Sequence, residues 1–203
     1  MDPHIEYIER FLHLPNPVLA EIDADNADPA TEPNIGLHVG SFLVWLIHTI
    51  RAQRVLEFGT CLGYSTIFLG EALRETGGAL IAVESDEGFY RASLANVERA
   101  GLSDVVRLIH GDAAEVIRAL AGPFDLILQD SAKPLYPEML AACIDKLRPC
   151  GVLAADDALF VPMGVREKLA APVHEYLTRV FADPRLTSTV LPIGDGLALS
   201  VRK

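Results

Sequence analysis

Five times between Gln53 and Ala182 a short apolar run is followed by a longer amphipathic one, and this alternation constrains the fold more than any other feature. Runs 53–58, 79–84, 104–109, 124–129 and 151–155 read as strands, and segments 65–75, 87–100, 112–121, 135–147 and 164–182 carry helical periodicity. Gly77-Gly78, Gly101, Gly122-Pro123 and Pro149-Cys150-Gly151 punctuate the units. Apolar strands separated by helices belong in a parallel sheet covered on both faces and joined by right-handed crossovers. The last part of the chain breaks this rule. Runs 186–191 and 197–201 are strand-like, but only Pro192-Ile193-Gly194-Asp195-Gly196 separates them. That connection permits a hairpin and not a crossover, so the final strand is expected to run antiparallel.

Ahead of the alternation, Ile5, Ile8, Phe11 and Leu12 recur at helical spacing over residues 3–14, and Pro15-Asn16-Pro17 should end that helix. Residues 23–33, rich in Asp, Asn, Ala and Pro, read as a loop. Residues 35–50 form a helix apolar nearly all round, expected to be largely buried. There is no internal repeat and no low-complexity tract. The chain therefore reads as one α/β domain over 1–203, with an N-terminal helical segment at 1–52 and the core at 53–203.

A length of 203 residues with 50% hydrophobic and 22% charged residues describes a folded, water-soluble protein. The net charge of −11 argues against nucleic-acid binding, which needs clustered Lys and Arg against phosphates. No signal peptide is expected from Met1–Arg10, which carries three acids. No run approaches the roughly 18 apolar residues of a membrane span. Cys61, Cys143 and Cys150 are odd in number and lack a C-x-x-C pair, which suits reduced thiols in the cytoplasm.

The first strand leads into V-L-E-F-G-T-C-L-G-Y-S, residues 55–65. An apolar strand, a glycine turn and a helix start form the unit at which open α/β sheets place a ligand beyond the carboxyl end of the strand. A dinucleotide fingerprint would need glycine where Cys61 stands, and a phosphate loop would need a longer gap and a lysine. An acid followed by G-x-x-x-G suits a nucleoside without a pyrophosphate. Acids recur at successive strand ends: Glu57, Glu84, Asp112, Asp130 and Asp156-Asp157. Strand ends of a parallel sheet share one edge, so these carboxylates should converge. Glu84, 25 residues after Gly59, is placed to accept both hydrogen bonds of a ribose diol. Asp130, Asp156 and Asp157 offer hard oxygen donors for a divalent cation such as Mg²⁺, although Asp156 or Asp157 would equally serve to cap a turn. Lys133, three residues past Asp130, would have its pKa lowered beside a dication and could act as a general base, or it is a surface lysine.

These residues resemble the cation-dependent class I O-methyltransferases that use S-adenosylmethionine, the catechol and caffeoyl-coenzyme A enzymes and their bacterial relatives. The resemblance runs from about Thr31 to Lys203 and rests on four segments: residues 55–65, A-V-E-S-D at 82–86, F-D-L-I-L-Q-D-S-A-K-P-L-Y at 124–136, and L-P-I-G-D-G-L-A-L-S at 191–200. It implies a Rossmann-like seven-stranded sheet in the order 3-2-1-4-5-7-6, with strand 7 antiparallel. It also implies that Glu57, Gly59, Thr60, Gly63, Tyr64 and Ser65 surround the methionine moiety of S-adenosylmethionine, that Glu84 holds the ribose, and that Asp112 and Ala113 flank the adenine. Asp130, beside the cofactor, joins Asp156 and Asp157 as the implied metal ligands, Lys133 stands at the catalytic lysine, and a homodimer is common in the family. Two residues depart from the pattern. Asp157 replaces the usual Asn, adding a negative charge to the implied metal site, and Pro134 directly follows the lysine.

The reading is an O-methyltransferase acting on a hydroxyl of a small catechol-like aromatic, with Mg²⁺. A metal-independent methyltransferase of the same fold and a non-catalytic S-adenosylmethionine-binding protein are the alternatives. A nicotinamide dehydrogenase is disfavoured by Cys61. The acceptor pocket is expected from the loops 31–38 and 158–164, where Phe160 and Met163 either line an apolar slot or simply pack.

Overall fold

The computed structural model describes residues 3–25 and 34–203. Helices α1 (Pro3–Glu9), α2 (Val18–Asp25) and α3 (Gly36–Ile50) precede the alternating part. That part runs β1 (Arg54–Phe58), α4 (Tyr64–Thr76), β2 (Ala79–Glu84), α5 (Glu87–Arg99), β3 (Val106–His110), α6 (Ala113–Ala119), β4 (Phe124–Gln129), α7 (Leu135–Lys146), β5 (Leu147–Ala155) and α8 (Glu167–Ala182). The hairpin β6 (Leu186–Leu191) and β7 (Leu197–Arg202) closes it.

The seven strands lie in the order β3-β2-β1-β4-β5-β7-β6. All neighbours pair in parallel except β5–β7 and β6–β7, so β7 alone runs against the sheet, as the short 192–196 connection requires. Successive strand residues feed opposite faces. Val55, Leu126, Leu128 and Val152 pack with α3 and α4 on one side, while Leu56, Phe58, Ile127 and Leu153 pack with α6, α7 and α8 on the other. Each such side chain, fully buried, contributes on the order of 1.5–3 kcal/mol relative to exposure.

Four expectations change in detail. The first helix ends at Glu9 rather than 14, and its apolar side chains stay in solvent: Ile5, Ile8 and Phe11 are all exposed. Without a surface to cover, the short helix has nothing to extend it. Residues 18–25 form a helix where a loop was expected from 23 onward; the remainder of that loop, 26–33, lies outside the described residues. Asn16 both ends one segment and starts the next, since its Oδ1 accepts the Val18 N–H at 3.1 Å. In α3, Val39, Leu43 and Ile47 are buried as expected, but Trp45 is 59% exposed. Finally, β5 begins at Leu147. Between Phe124/Leu147 and Leu126/Val152 the pairing advances two residues on β4 and five on β5, a bulge carried by Cys150 at φ 60°.

Candidate active site

Every loop that leaves the carboxyl edge of β1, β2, β4 and β5 opens into one cavity of about 900 Å³. Its first half is made mainly by backbone. Gly59 and Gly63 both adopt φ +88°, and a Cβ on Gly59 would stand 2.1 Å from the Asp130 carbonyl oxygen. The turn after β1 therefore lies directly against the end of β4, and only glycine permits it. Gly63 ends the turn one residue before α4, with a Cβ position 2.8 Å from Ser93 Oγ.

Glu84, at the end of β2, binds these loops together. Its Oε2 accepts the Thr60 and Cys61 N–H groups at 2.9 and 3.0 Å, and its Oε1 accepts those of Ser85 and Asp86 at 2.8 and 2.9 Å. A carboxylate has about four lone-pair sites, so the backbone alone fills this one. Beyond it, Asp86 caps α5 by accepting the Phe89 N–H, and Asp112 caps α6 by accepting that of Glu115, both at 2.9 Å. Gly111 and Ala113 line the cavity while Asp112 points to its capping bond.

Glu57 lies behind the cavity wall rather than in it. It is fully buried, its Oε2 accepts the Thr66 hydroxyl at 2.7 Å, and its Oε1 has no partner. Burial outweighs the hydrogen bonds from Ser65 and Thr66 and pushes its pKa up to about 8. Thr60, Tyr64 and Ser65 do face the cavity. Tyr64 also donates to Asp23 of α2 at 3.3 Å, so the unforeseen helix rests on this loop and brings Ile22 to the wall.

The second half is made by charged side chains. Lys133 Nζ, on the turn before α7, donates to Asp130 Oδ1 at 3.2 Å and to Tyr136 Oη at 3.0 Å, and it is ion-paired with Asp157 Oδ2. The ammonium also lies 4.9 Å from the Tyr136 ring centre and 5.7 Å from that of Phe160. Burial by itself works against this cation, yet Tyr136, Asp130 and Asp157 together hold its pKa above the ordinary lysine range. The protein alone thus does the opposite of what was expected of Lys133 beside a dication. Pro134 interferes with nothing. It stands immediately before Leu135, where no backbone N–H is required, and the Tyr136 N–H still reaches the Lys133 carbonyl at 3.1 Å.

Asp156 and Asp157 follow β5. Asp156 is buried with Oδ1 unpartnered, and burial, with the charges of Asp130 and Asp157, pushes its pKa up to about 8. Asp157 sits at φ 64°, a left-handed conformation that Asn and Asp tolerate better than other side chains. The hairpin fixes this segment: the Ala158 and Leu159 N–H groups donate to the Gly196 and Asp195 carbonyls at 2.8 and 2.9 Å. A Cβ on Gly196 would meet Leu159 N at 2.8 Å, which gives the G-D-G sequence its structural role. Among the described residues, no three His, Cys, Asp or Glu side chains form a ready ligand cluster, because Lys133 lies between Asp130 and Asp157.

Phe160 lines the cavity and Met163 does not; His38 is likewise outside the wall, whereas Asn34, Ile35 and Gly36 belong to it. Residues 31–33 of the expected acceptor loop lie outside the described residues. The sequence reading missed Ser85, Asp86, Phe89, Arg166, Leu169 and Asp195 as wall residues. Asp86 carried a signal, an acid opening a helical run. Leu169 carried none beyond ordinary helical spacing.

Comparison with known proteins bears on the same residues. A family model described as O-methyltransferase matches residues 16–203. Catechol O-methyltransferase of Niastella koreensis is 32% identical over 177 residues, covering 81% of this chain and 80% of that protein. A caffeoyl-CoA O-methyltransferase of Petunia hybrida is 28% identical over 180 residues, covering 80% and 74% respectively. The crystal structure of an O-methyltransferase from Bacillus cereus in complex with S-adenosylhomocysteine superposes with a TM-score of 0.83 at 26% identity, covering 98% of this chain and 96% of that one.

Proposed function

The chain belongs to the O-methyltransferase family and is an S-adenosylmethionine-dependent O-methyltransferase, and from that premise we propose that it methylates one hydroxyl of a small catechol-like aromatic. One observation carries the reading: the glycine turn with Glu84 and the Asp130–Lys133–Asp157 cluster open into the same cavity. Donor and acceptor held there side by side would react as a single unit, and positioning of this kind supplies much of a transfer reaction's rate.

Gly59, Thr60, Gly63, Tyr64, Ser65 and Asp130 would surround the methionine end of the donor. Glu57 would sit behind it and, once ionised, would place a buried negative charge toward the sulfonium. Glu84 would hold the ribose through the loop whose N–H groups it already gathers, and Asp112 would set the α6 start, placing Ala113 against the adenine. The acceptor hydroxyl gives up its proton to Lys133 in its neutral form, its oxygen attacks the sulfonium methyl in line, the S–C bond breaks, and S-adenosylhomocysteine leaves.

The family also implies a divalent cation. Asp130, Asp156 and Asp157 present hard oxygen donors and Asp156 Oδ1 is buried without a partner, so the set would fit such an ion once Lys133 leaves its place between Asp130 and Asp157. Bound there, a cation such as Mg²⁺ would lower the pKa of an acceptor hydroxyl. Lys133 in its present pairing is a proton donor, positioned to hold a developing phenolate. It becomes a base only when Asp130 and Asp157 direct less negative charge toward it. Asp157, one charge more than an asparagine, strengthens that hold.

Turnover of a catechol panel with Mg²⁺ and with EDTA tests the reading. Methyl transfer that needs the metal is the expected result; undiminished transfer in EDTA would favour the metal-independent alternative. We also infer a single catalytic unit over 1–203 in which the described helices α1, α2 and α3 of the segment 1–52 close the donor loop and form a homodimer surface. Exposed Phe11 and Trp45 support this, as does the His38–Glu9 contact of 3.3 Å tying α1 to α3. No described helix is long and apolar enough to cross a membrane, and no disulfide joins the three cysteines, which supports a cytoplasmic setting.

A further inference from the structure

Two cations stand in the cavity wall among the described residues, and they differ in one respect. Lys133 is engaged with Asp130, Asp157 and Tyr136, whereas among the described residues the guanidinium of Arg166 makes no hydrogen bond or ion pair. Arg166 is the residue immediately before α8, and its side chain makes no capping bond. A cation at a helix start opposes the helix dipole, and arginine is not among the residues that cap one well. Its place therefore has no evident structural benefit. Phe160 and Leu169 are apolar members of the same wall, while the cavity as a whole is acidic: Asp130, Asp156, Asp157 and Asp195 all line it.

We propose that Arg166 selects acceptors whose aromatic ring carries an anionic substituent, a carboxylate, away from the reacting hydroxyl. This rests on the methyl-transfer reading and extends it to a substrate class. The charge distribution fixes the orientation. A carboxylate entering first would meet the aspartates with Lys133 already committed to two of them. Entering last, it meets the unpaired guanidinium, with the ring between Phe160 and Leu169 and the hydroxyl directed to Lys133. Arginine suits this task because its planar fork binds a carboxylate through two parallel hydrogen bonds.

The test compares kcat/KM for protocatechuate and hydrocaffeate, which bear the carboxylate on the ring and on a short tether, with that for their uncharged amides and for dopamine. The wild-type protein is expected to prefer at least one acid over its amide by about tenfold, the factor that about 1.4 kcal/mol supplies. Arg166→Gln should erase that ratio through a higher KM for the acid, Arg166→Lys should keep part of it, and Arg166→Glu should turn the preference toward dopamine. A wild-type acid-to-amide ratio near one, or a ratio that survives Arg166→Gln, overturns the proposal while leaving methyl transfer intact. Absence of turnover on every catechol would overturn the methyl-transfer reading instead. Calorimetric binding of acid and amide to the protein saturated with S-adenosylhomocysteine then decides on Arg166 alone, with equal affinities counting against it.

Discussion

The two halves of the cavity are built from different materials. The donor half is a backbone structure: Gly59 packed on the Asp130 carbonyl, Gly63 ending the turn, and one carboxylate, Glu84, saturated by four N–H groups. The acceptor half is a side-chain structure in which two carboxylates, Asp130 and Asp157, share one lysine and a third, Asp156, keeps its Oδ1 without a partner. The first is complete as it stands and needs only a ligand of the right shape. The second holds unbalanced charge, so its geometry and protonation depend on what binds.

That contrast can be broken at several points. The largest effect belongs to Gly59→Ala. With a Cβ position 2.1 Å from backbone and φ +88°, the strand end must move, and a loss of about 3 kcal/mol or more is expected, read by chemical denaturation. Binding of S-adenosylhomocysteine should be lost with it.

Next in size is the response to pH. Glu57 is raised from 4.5 to about 8 and Asp156 from 3.8 to about 8, chiefly by burial. An acid with a raised folded-state pKa binds more protons folded than unfolded in that window. Its contribution is therefore fully present below its unfolded pKa and is lost as pH rises toward 8. The ligand-free protein should lose stability between about pH 5 and 8, by up to a few kcal/mol. Donor affinity should rise over the same window as Glu57 ionises. A thermal midpoint that climbs steadily from pH 5 to 8 without ligand would contradict this.

The smallest effect lies away from the cavity. Asp125 accepts the Gln53 and Arg54 N–H groups at 2.8 Å each and pairs with Arg148. Although burial works against it, these partners lower its pKa, so its contribution is present above the unfolded value and lost as pH falls. Arg148→Ala should cost about 1 kcal/mol and soften the acid limb of the stability profile. Donor affinity should not change; if it does, the donor half depends on more than its own backbone.

Which parts were legible in the sequence follows the same division. Strand runs such as Leu126–Leu128 and the glycine turn at 59–63 announce themselves because buried parallel strands and positive φ restrict the residue types allowed. The short 192–196 link dictated the antiparallel final strand. Helix α2 was missed because Pro15-Asn16-Pro17 reads equally as a stop and as a cap with proline at the first turn, and the contact that settles it, Asn16 Nδ2 to Glu71 at 2.6 Å, spans 55 residues. The early start of β5 depends on Cys150 tolerating φ 60°, which no pattern signals. At the site, the convergence of Asp130, Lys133 and Asp157 was legible from topology. Lys133 being held charged was not, since that follows from distances among side chains. Arg166 carried only the oddity of a cation before a helix, which acquires meaning once the cavity is seen beside it.

The account turns on Lys133 acting at the acceptor half alone. The most direct measurement is single-turnover transfer of a labelled methyl group from S-adenosylmethionine to a catechol, in wild type and Lys133→Ala, alongside calorimetric binding of S-adenosylhomocysteine to both. A fall in the transfer rate of about a hundred- to ten-thousand-fold with donor affinity retained is the predicted result. Transfer at the wild-type rate in Lys133→Ala would contradict it.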